Sequence, residues 1–244
     1  MYFQQHGITV LLTRGKMFGS NKILRYFLIA GSFLAVTVLC QGCASTPKKE
    51  IYDRTPADLL AEGQEKLDKS EFKSAAKLLQ AIKDKYPYSK ESIIAELKLA
   101  DSLFKRGEYD EAITNYDEFE RLHPKDKDVP YVMFQKGMCH FLQIKSMDRE
   151  QAQVAAARDE FENLARKYPD NEYSYKAREY IRQCLVYQAE YELYVGIFYY
   201  KNKRYQAALD RFSYLMANYP DVGQYQEALE YVARCKAKLA EAEK

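Results

Sequence analysis

The sequence predicts an all-α protein built from about four tandem helical hairpins and one closing helix. Two observations carry this prediction. Aromatic residues recur directly before prolines, and one long stretch, Tyr173 to Lys201, holds no proline and a single glycine. The four aromatic–proline pairs are Tyr86-Pro87, His123-Pro124, Tyr168-Pro169 and Tyr219-Pro220. Each pair is expected to close one hairpin, because proline cannot continue a helix.

Each pair ends a block with the same apolar pattern. The pattern begins 15 residues before the proline and continues at 3, 7 and 10 residues from that start. These offsets lie on one face of an α-helix, so each block is predicted to bury that face. In chain order the positions hold Phe72, Ala75, Leu79 and Ile82; Tyr109, Ala112, Tyr116 and Phe119; Val154, Ala157, Phe161 and Leu164; and Tyr205, Ala208, Phe212 and Leu215.

Small residues recur nine positions before the start of the pattern, at Gly63, Ala100 and Gly196. The two helices of a hairpin are expected to approach closely there, and Gly107 marks a turn. Small residue, large residues and closing proline together resemble the tetratricopeptide repeat, a helical hairpin of about 34 residues. The predicted fold is therefore a tetratricopeptide-repeat helical solenoid with about four full repeats plus a C-terminal capping helix. A helical bundle with coincidental spacing is the alternative.

The repeats are not regular. About eight extra residues around Lys145 to Gln153 predict a loop or extended turn in the third repeat, since Gly137 comes too early for Val154. Tyr173 to Lys201 is expected to form one long helix. After Pro220 one further helix fits, from Tyr225 to about Ala240, and it is expected to cap the array.

The N-terminal segment has the features of an export signal. Basic residues precede an uncharged run of 14 residues, Tyr26 to Leu39, which is short of the ~20 that span a bilayer. The following residues, Leu39 to Ser45, resemble a bacterial lipobox, in which a small residue (here Gly42) precedes a cysteine that becomes lipidated. Cys43 is the predicted lipidation site, although Cys40 stands where leucine is usual. A signal cut near Gly42 without anchoring is the alternative.

These patterns divide the chain into four parts. Residues 1–42 are the expected leader, and within it residues 1–16 precede Met17, which is a more natural start than Met1. Residues 43–54 are expected to form a lipidated tether. Residues 55–128 are predicted to hold repeats one and two, and 129–244 repeats three and four with the capping helix. Thr55, Pro56 and Asp58 suit the start of the first helix as cap, first helical residue and first-turn acid.

Charge and chemistry favour a binding protein over an enzyme. Without the leader the chain has 33 Lys and Arg against 35 Asp and Glu, which gives no basic face for nucleic acid. His140 adjoins Cys139 on a predicted helix, about 100° apart, so they suit neither metal binding nor catalysis. Phosphate-binding loops and serine elbows are not recognisable. No catalytic residue, metal site or cofactor is predicted.

The cysteines of the predicted repeats, Cys139, Cys184 and Cys235, are widely spaced among apolar neighbours. They are expected to be small core residues. A disulfide between two of them in an oxidising compartment stays open as an alternative.

Three stretches carry a closer resemblance: Lys85 to Tyr88, Pro130 to Gly137 and Ala189 to Tyr200. With them the chain resembles the BamD (ComL/YfiO) family, lipoproteins of the outer-membrane β-barrel assembly machine. The resemblance implies a non-enzymatic scaffold at the periplasmic face of the outer membrane. Its implied partners are the barrel-forming subunit, unfolded outer-membrane proteins and, through a lipid anchor, the membrane itself.

The resemblance also implies site residues. Tyr86 and Tyr88 match positions at a pocket for the client peptide, and Arg211 matches an arginine near the side that docks the barrel-forming subunit. From the residues alone, Tyr86 also fits repeat packing and Arg211 a solvated charge. A pilotin-like lipoprotein, a soluble envelope adaptor and an envelope hydrolase are the alternative functions.

Overall fold

The computed structural model describes residues 54–146, 151–220 and 222–242. The chain divides into two compact units, residues 1–49 and 50–244, and all features below belong to the second. The predicted leader, the lipidation site at Cys43 and most of the tether lie outside the described residues.

All regular structure in the described residues is α-helical. These parts of the chain contain nine helices. They are α1 (Pro56–Asp68), α2 (Phe72–Lys85), α3 (Lys90–Lys105), α4 (Tyr109–Leu122), α5 (Val129–Leu142), α6 (Gln151–Lys167), α7 (Glu172–Lys201), α8 (Tyr205–Asn218) and α9 (Tyr225–Ala242).

Each helix packs against the next, so α1/α2, α3/α4, α5/α6 and α7/α8 form four successive hairpins and α9 covers α8. The first helices of neighbouring hairpins also touch, α1 with α3 and α5 with α7. This order of contacts is that of a tetratricopeptide-repeat solenoid, as the sequence predicts. Because each hairpin contacts mainly its neighbours, its apolar face is buried by stacking.

The predicted apolar face forms the core. At the second, third and fourth positions of the pattern, all four repeats place side chains that are at most 2% exposed. The small residues admit the large ones: Gly63 faces Leu79, Gly137 faces Phe161 and Gly196 faces Phe212. Gly137 therefore keeps its partner in spite of the extra residues that follow it.

The loop predicted from Lys145 to Gln153 in the third repeat does not extend as far as Gln153. Helix α6 begins at Gln151, so the last three residues of that range are helical. A hydrogen bond between Nδ1 of His140 and Oε1 of Gln153, 2.8 Å long, joins the end of α5 to this first turn. The predicted long helix is confirmed as α7, and the last helix continues to Ala242.

Helix starts follow the cap chemistry of the sequence. The Thr55 hydroxyl accepts the N–H of Asp58 at 3.2 Å, and Pro56 is the first helical residue. Ser89 and Asn171 cap α3 and α7 in the same way. These side chains satisfy backbone donors that have no partner within the helix.

Charged side chains also join the second hairpin to the third. The ammonium of Lys136 on α5, a buried side chain, lies 2.7 Å from Asp117 and 3.3 Å from Glu120 on α4. It is also 3.3 Å from Glu160 on α6. A buried ammonium is tolerated because three carboxylates surround it.

The three cysteines of the helical unit are buried free thiols, as expected of core residues. They lie in three separate apolar clusters, around Phe119, Phe161 and Phe212 respectively.

Candidate interaction surfaces

Tyr86 ends α2 and faces inward. Its ring packs against the apolar cluster of the first hairpin, and its hydroxyl donates a 2.7 Å hydrogen bond to the backbone carbonyl of Arg54. The guanidinium of Arg54 pairs with Glu62 at 2.6 Å. Tyr86 therefore ties the start of α1 to the turn after α2, which is a structural contact.

Tyr88 lies two residues further along the same turn and points to solvent. Its relative exposure is 101%, the highest of the large hydrophobic residues in the described chain. Ile93 and Ile94, in the first turns of α3, are also exposed. The structure thus places Tyr86 and Tyr88 on one turn, and of the two rings only that of Tyr88 is fully open to a ligand.

Arg211 lies on α8 and is held by an acid on α7. Its Nη1 donates to Oε2 of Glu192 at 3.0 Å and to Oε1 at 3.4 Å. This hydrogen bond raises the pKa of Arg211. The Arg211 side chain is 42% exposed, whereas that of Glu192 is 11% exposed. Arg211 is therefore an exposed cation with a buried counter-ion.

An aromatic surface adjoins Arg211. Tyr214, three residues further on α8, shares its helix face and is exposed. Its ring centroid lies 6.2 Å from that of Tyr219, which ends α8. Arginine beside tyrosine is a combination enriched at binding hot spots.

Sequence reasoning missed Glu192, although its position carries a signal. The position four residues before the small residue of each repeat is occupied, in chain order, by Leu59, Glu96, Met133 and Glu192. All four are buried, the two acids at 8% exposure. An acid at a buried register needs a partner, and finding that partner required the fold.

The other acid at this register has an inward partner. Oε2 of Glu96 lies 2.7 Å from Nε2 of His123, and its Oε1 accepts a hydrogen bond from Ser92. The His123 ring packs on Phe119 with a centroid distance of 5.0 Å. His123 thus takes part in repeat packing, as its place before Pro124 indicates.

The thiol of Cys139, next to His140 on α5, is buried. Burial raises the pKa of Cys139 to about 12, so its thiol stays protonated at neutral pH. Across residues 54–146, 151–220 and 222–242 no three His, Cys, Asp or Glu side chains are arranged to hold a metal ion. In the same residues no helix has the length and apolar character of a membrane span.

A family model described as "YfiO: Outer membrane lipoprotein" matches residues 52–244, a range that includes α1 to α9. This chain belongs to the YfiO family. The resemblance carried by Lys85 to Tyr88, Pro130 to Gly137 and Ala189 to Tyr200 is thereby confirmed at family level. Tyr86, Tyr88, Glu192 and Arg211 lie inside the matched range, and Cys43 lies before it.

Two curated relatives of this YfiO-family chain are both described as outer membrane protein assembly factor BamD. The outer membrane protein assembly factor BamD of Rickettsia prowazekii is 29% identical over 201 residues, covering 82% of this chain and 80% of the relative. BamD of Vibrio cholerae is 27% identical over 217 residues, covering 85% of this chain and 89% of the relative.

Solved structures similar to this chain are repeat proteins. A tetratricopeptide-repeat protein of Thermus thermophilus is 15% identical, with a TM-score of 0.40, and the match covers 76% of this chain and all of that one. Kinesin-light-chain-like repeats from Podospora anserina match 77% of this chain and 95% of theirs, with a TM-score of 0.43 and 15% identity.

Proposed function

We propose that this protein is a lipid-anchored scaffold that acts in the assembly of outer-membrane β-barrel proteins. It binds the barrel-forming subunit and receives unfolded outer-membrane proteins, and it works by binding without a chemical step. The observation that carries the proposal is the family match over residues 52–244, together with relatives named as outer membrane protein assembly factors.

The client contact is assigned to the turn between α2 and α3. Tyr88 offers a fully exposed aromatic ring with one hydroxyl, which suits an extended peptide with an aromatic end. Tyr86 supports the turn from inside through its bond to Arg54. In this proposal Tyr88 touches the client and Tyr86 holds Tyr88 in place.

The docking contact for the barrel-forming subunit is assigned to α8. Arg211 supplies an exposed guanidinium, and Tyr214 an exposed ring on the same helix face. The two proposed contacts lie in the turn between the first and second hairpins and on the fourth hairpin, so client and subunit have separate places along the repeats.

The membrane contact is assigned to Cys43. Residues 43–54 lead from the proposed lipid anchor to α1, and 12 residues of extended chain reach at most about 40 Å. In this proposal the tether keeps the first hairpin within that distance of the membrane surface.

The experiment that tests the function is affinity purification of the C-terminally tagged full-length protein from detergent-solubilised envelopes, followed by mass spectrometry. Near-stoichiometric recovery of the barrel-forming subunit is the expected result. Recovery of a secretin or of division factors without that subunit would contradict the proposal.

The client site is tested in the same preparation with Tyr88→Ala. Crosslinking to unfolded outer-membrane proteins is expected to fall several-fold, because the ring makes the contact. Tyr175→Ala is the matched control, since Tyr175 is an exposed tyrosine on α7 that has no part in the proposed site. Equal crosslinking by both variants would remove Tyr88 from the site.

A further inference from the structure

The start of α1, where the proposed tether joins the helices, is fixed to the first link between hairpins. The hydroxyl of Tyr86, in this link, donates to the backbone carbonyl of Arg54 at 2.7 Å. The guanidinium of Arg54 pairs with Glu62 at 2.6 Å and donates to the carbonyl of Asp58 at 3.2 Å. The chain therefore enters α1 at a fixed place, beside the residues that join α2 to α3.

The next links between hairpins lie at the same edge of the stack. Consecutive helices of such hairpins run antiparallel, so every first helix starts and every second helix ends on one side. Lys167, at the end of α6, accordingly pairs with Glu120, near the end of α4, at 3.2 Å. The rings of Tyr131 and Tyr173, in the first turns of α5 and α7, have centroids 5.5 Å apart. The name link edge is used below for the start of α1 together with the links at 86–89, 123–128 and 168–171.

A large apolar side chain is exposed at each of these three links. Tyr88 lies in the first link, Leu122 directly precedes the second and Tyr175 follows the third. The guanidinium of Arg178 lies over the Tyr175 ring, 5.0 Å from its centroid, and donates to the carbonyl of Pro169 in the third link at 3.0 Å. Tyr175 is thus held at the link edge by a cation that is itself bound to the link.

These side chains suit the surface of a lipid bilayer. Tyrosine is enriched at the level of the headgroups because its ring is apolar and its hydroxyl polar, and long cationic side chains extend their charged ends to that level. Arg178 and the exposed Lys90 supply such cations beside the third and first links. An anchor at Cys43 keeps the link edge within about 40 Å of the membrane, because the tether ends at this edge.

We infer that the link edge is a membrane-facing surface, at which Leu122 and Tyr175 contact the headgroup region of a phospholipid bilayer. The turns within the hairpins, at the opposite edge, face away from the bilayer. Tyr88 is then close to the membrane, where the proposed function places the client contact. The inference rests on the proposed function, since the lipid anchor is what brings this edge to the membrane.

Two matched pairs of exposed positions test the inference. Tyr175 and Tyr194 both lie on α7 and are 56% and 58% exposed, but they are separated by about 28 Å along the helix axis. Leu122 and Leu142 are both 45% exposed and end α4 and α5, whose ends lie on opposite edges. In each pair the first position belongs to the link edge and the second lies toward the opposite edge.

Each of the four positions is changed singly to cysteine in the full-length lipidated protein, labelled with a fluorophore and reconstituted into vesicles of phosphatidylethanolamine and phosphatidylglycerol. Quenching by a spin-labelled phospholipid measures how close the label lies to lipid. The native thiols of Cys139, Cys184 and Cys235 are buried, so the label is expected to react at the introduced cysteine. Labels at the link edge are expected to be quenched about threefold more than their matched controls.

A second variant separates contact from simple closeness to the anchor. With the label at Leu122→Cys, the further change Tyr175→Asp is expected to reduce quenching about threefold, because a carboxylate loses hydration at the bilayer and is repelled by anionic lipid. Tyr194→Asp is the control and should leave the quenching unchanged. Both replaced side chains are exposed, so thermal unfolding of both variants should match wild type.

Flotation of the vesicles distinguishes failure of the anchor from failure of the inference. If the wild-type protein does not float with the vesicles, the proposed anchor fails and the inference fails with it. If the protein floats but the two members of each pair are quenched equally, the inference is overturned while the anchor stands. Unchanged quenching of the Leu122→Cys label by Tyr175→Asp would overturn it in the same way.

Discussion

At the scale of single residues, the closest helix contacts rest on glycine facing phenylalanine. A Cβ added at Gly196 would lie 2.4 Å from Cε1 of Phe212, and one added at Gly137 would lie equally close to Phe161. At Gly63 the nearest atom is Cδ2 of Leu79, at 3.2 Å. Leucine has a flexible end that can move aside, whereas a packed ring cannot shift without displacing its neighbours.

We therefore expect Gly196→Ala to lower the free energy of unfolding by about 1–3 kcal/mol, the usual cost of overpacking. Gly63→Ala is the control and should be neutral or slightly stabilising, because alanine favours the helix by up to about 1 kcal/mol over glycine. Urea unfolding followed by circular dichroism measures both. Equal stability of the two variants would show that the Phe212 ring adapts freely.

Asp101 is a partly buried acid between the second and third hairpins. Its Oδ1 accepts hydrogen bonds from the hydroxyls of Tyr116 at 2.6 Å and Tyr131 at 2.8 Å. Burial raises the pKa of Asp101 and outweighs the two hydrogen bonds, which act to lower it. The folded state therefore binds a proton more readily at this site than the unfolded state, whose aspartate has a pKa of about 3.9.

This difference predicts a pH dependence of stability. Between about pH 4 and the raised pKa, the folded protein binds more protons, so the stability contributed by Asp101 falls as pH rises and is constant above that window. Asp101→Asn should remove this component, so the free energy of unfolding of wild type relative to the variant should decrease from pH 4 upwards. Urea unfolding at a series of pH values measures it.

Asp170→Asn, at an exposed position, is the control. The free energy of unfolding of wild type relative to this variant should not show the same decrease with pH. If the free energy of unfolding of wild type relative to Asp101→Asn instead rises with pH, the tyrosine hydrogen bonds outweigh the effect of burial on the pKa of Asp101.

At the scale of elements, three hairpin turns share one backbone geometry. Ser70, Gly107 and Lys203 each follow the first helix of a repeat and have φ values of 57°, 77° and 61°. In each turn the next residue donates its N–H to a carbonyl five residues earlier, as Arg204 does to Tyr199. This left-handed conformation favours glycine, so Ser70 and Lys203 carry strain that Gly107 does not.

Lys203→Gly is expected to raise the free energy of unfolding by about 0.5–1 kcal/mol, since removing Cβ relieves more strain than the added freedom of the unfolded chain costs. Lys201→Gly, in the last turn of α7, is the control and should lower it by a similar amount. Thermal unfolding monitored by circular dichroism distinguishes the two. A loss of stability from Lys203→Gly would mean that Lys203 makes a contact worth more than its strain.

At the scale of the whole molecule, the repeats act as one body through a few shared elements. Helix α7 packs Tyr180 and Tyr187 on Phe141 of α5 with its first half and Gly196 on Phe212 of α8 with its second. Lys136 connects α4, α5 and α6 through ion pairs. The proposed client turn and docking helix are thus joined by continuous packing, as expected of a scaffold.

The proposed anchor belongs to this scale, because it determines where the whole chain resides. Cys43→Ser is expected to move the protein from the membrane fraction to the soluble periplasmic fraction, since buried acyl chains supply ~0.8 kcal/mol per CH₂. Cys40→Ser is the control and should leave the protein in the membrane fraction. Fractionation with immunoblotting measures both, and membrane retention of Cys43→Ser would contradict lipidation at that residue.

Much of the fold could be predicted because its signals are local. Offsets of 3, 7 and 10 residues identify a helix face without any knowledge of what covers it, and the Thr55 and Asn171 caps act on backbone donors within three residues. The start of α6 at Gln151 was missed because the apolar pattern that identifies this helix in the sequence begins only at Val154. Tyr88 and Arg211 were singled out by family resemblance, which does not report exposure, and their roles stay proposals.

The sequence alone therefore determined the repeat register, most helix bounds and the family, all of which depend on short-range periodicity and on residue types at matching positions. Only the tertiary structure decided which side chains are available. Tyr86 turns inward to Arg54 while Tyr88 faces solvent, and Glu192 meets Arg211 across 19 residues of chain. The pairing of Glu192 with Arg211 depends on how α7 packs against α8, where Gly196 meets Phe212, and the exposure of Tyr88 depends on how Tyr86 packs in the first hairpin.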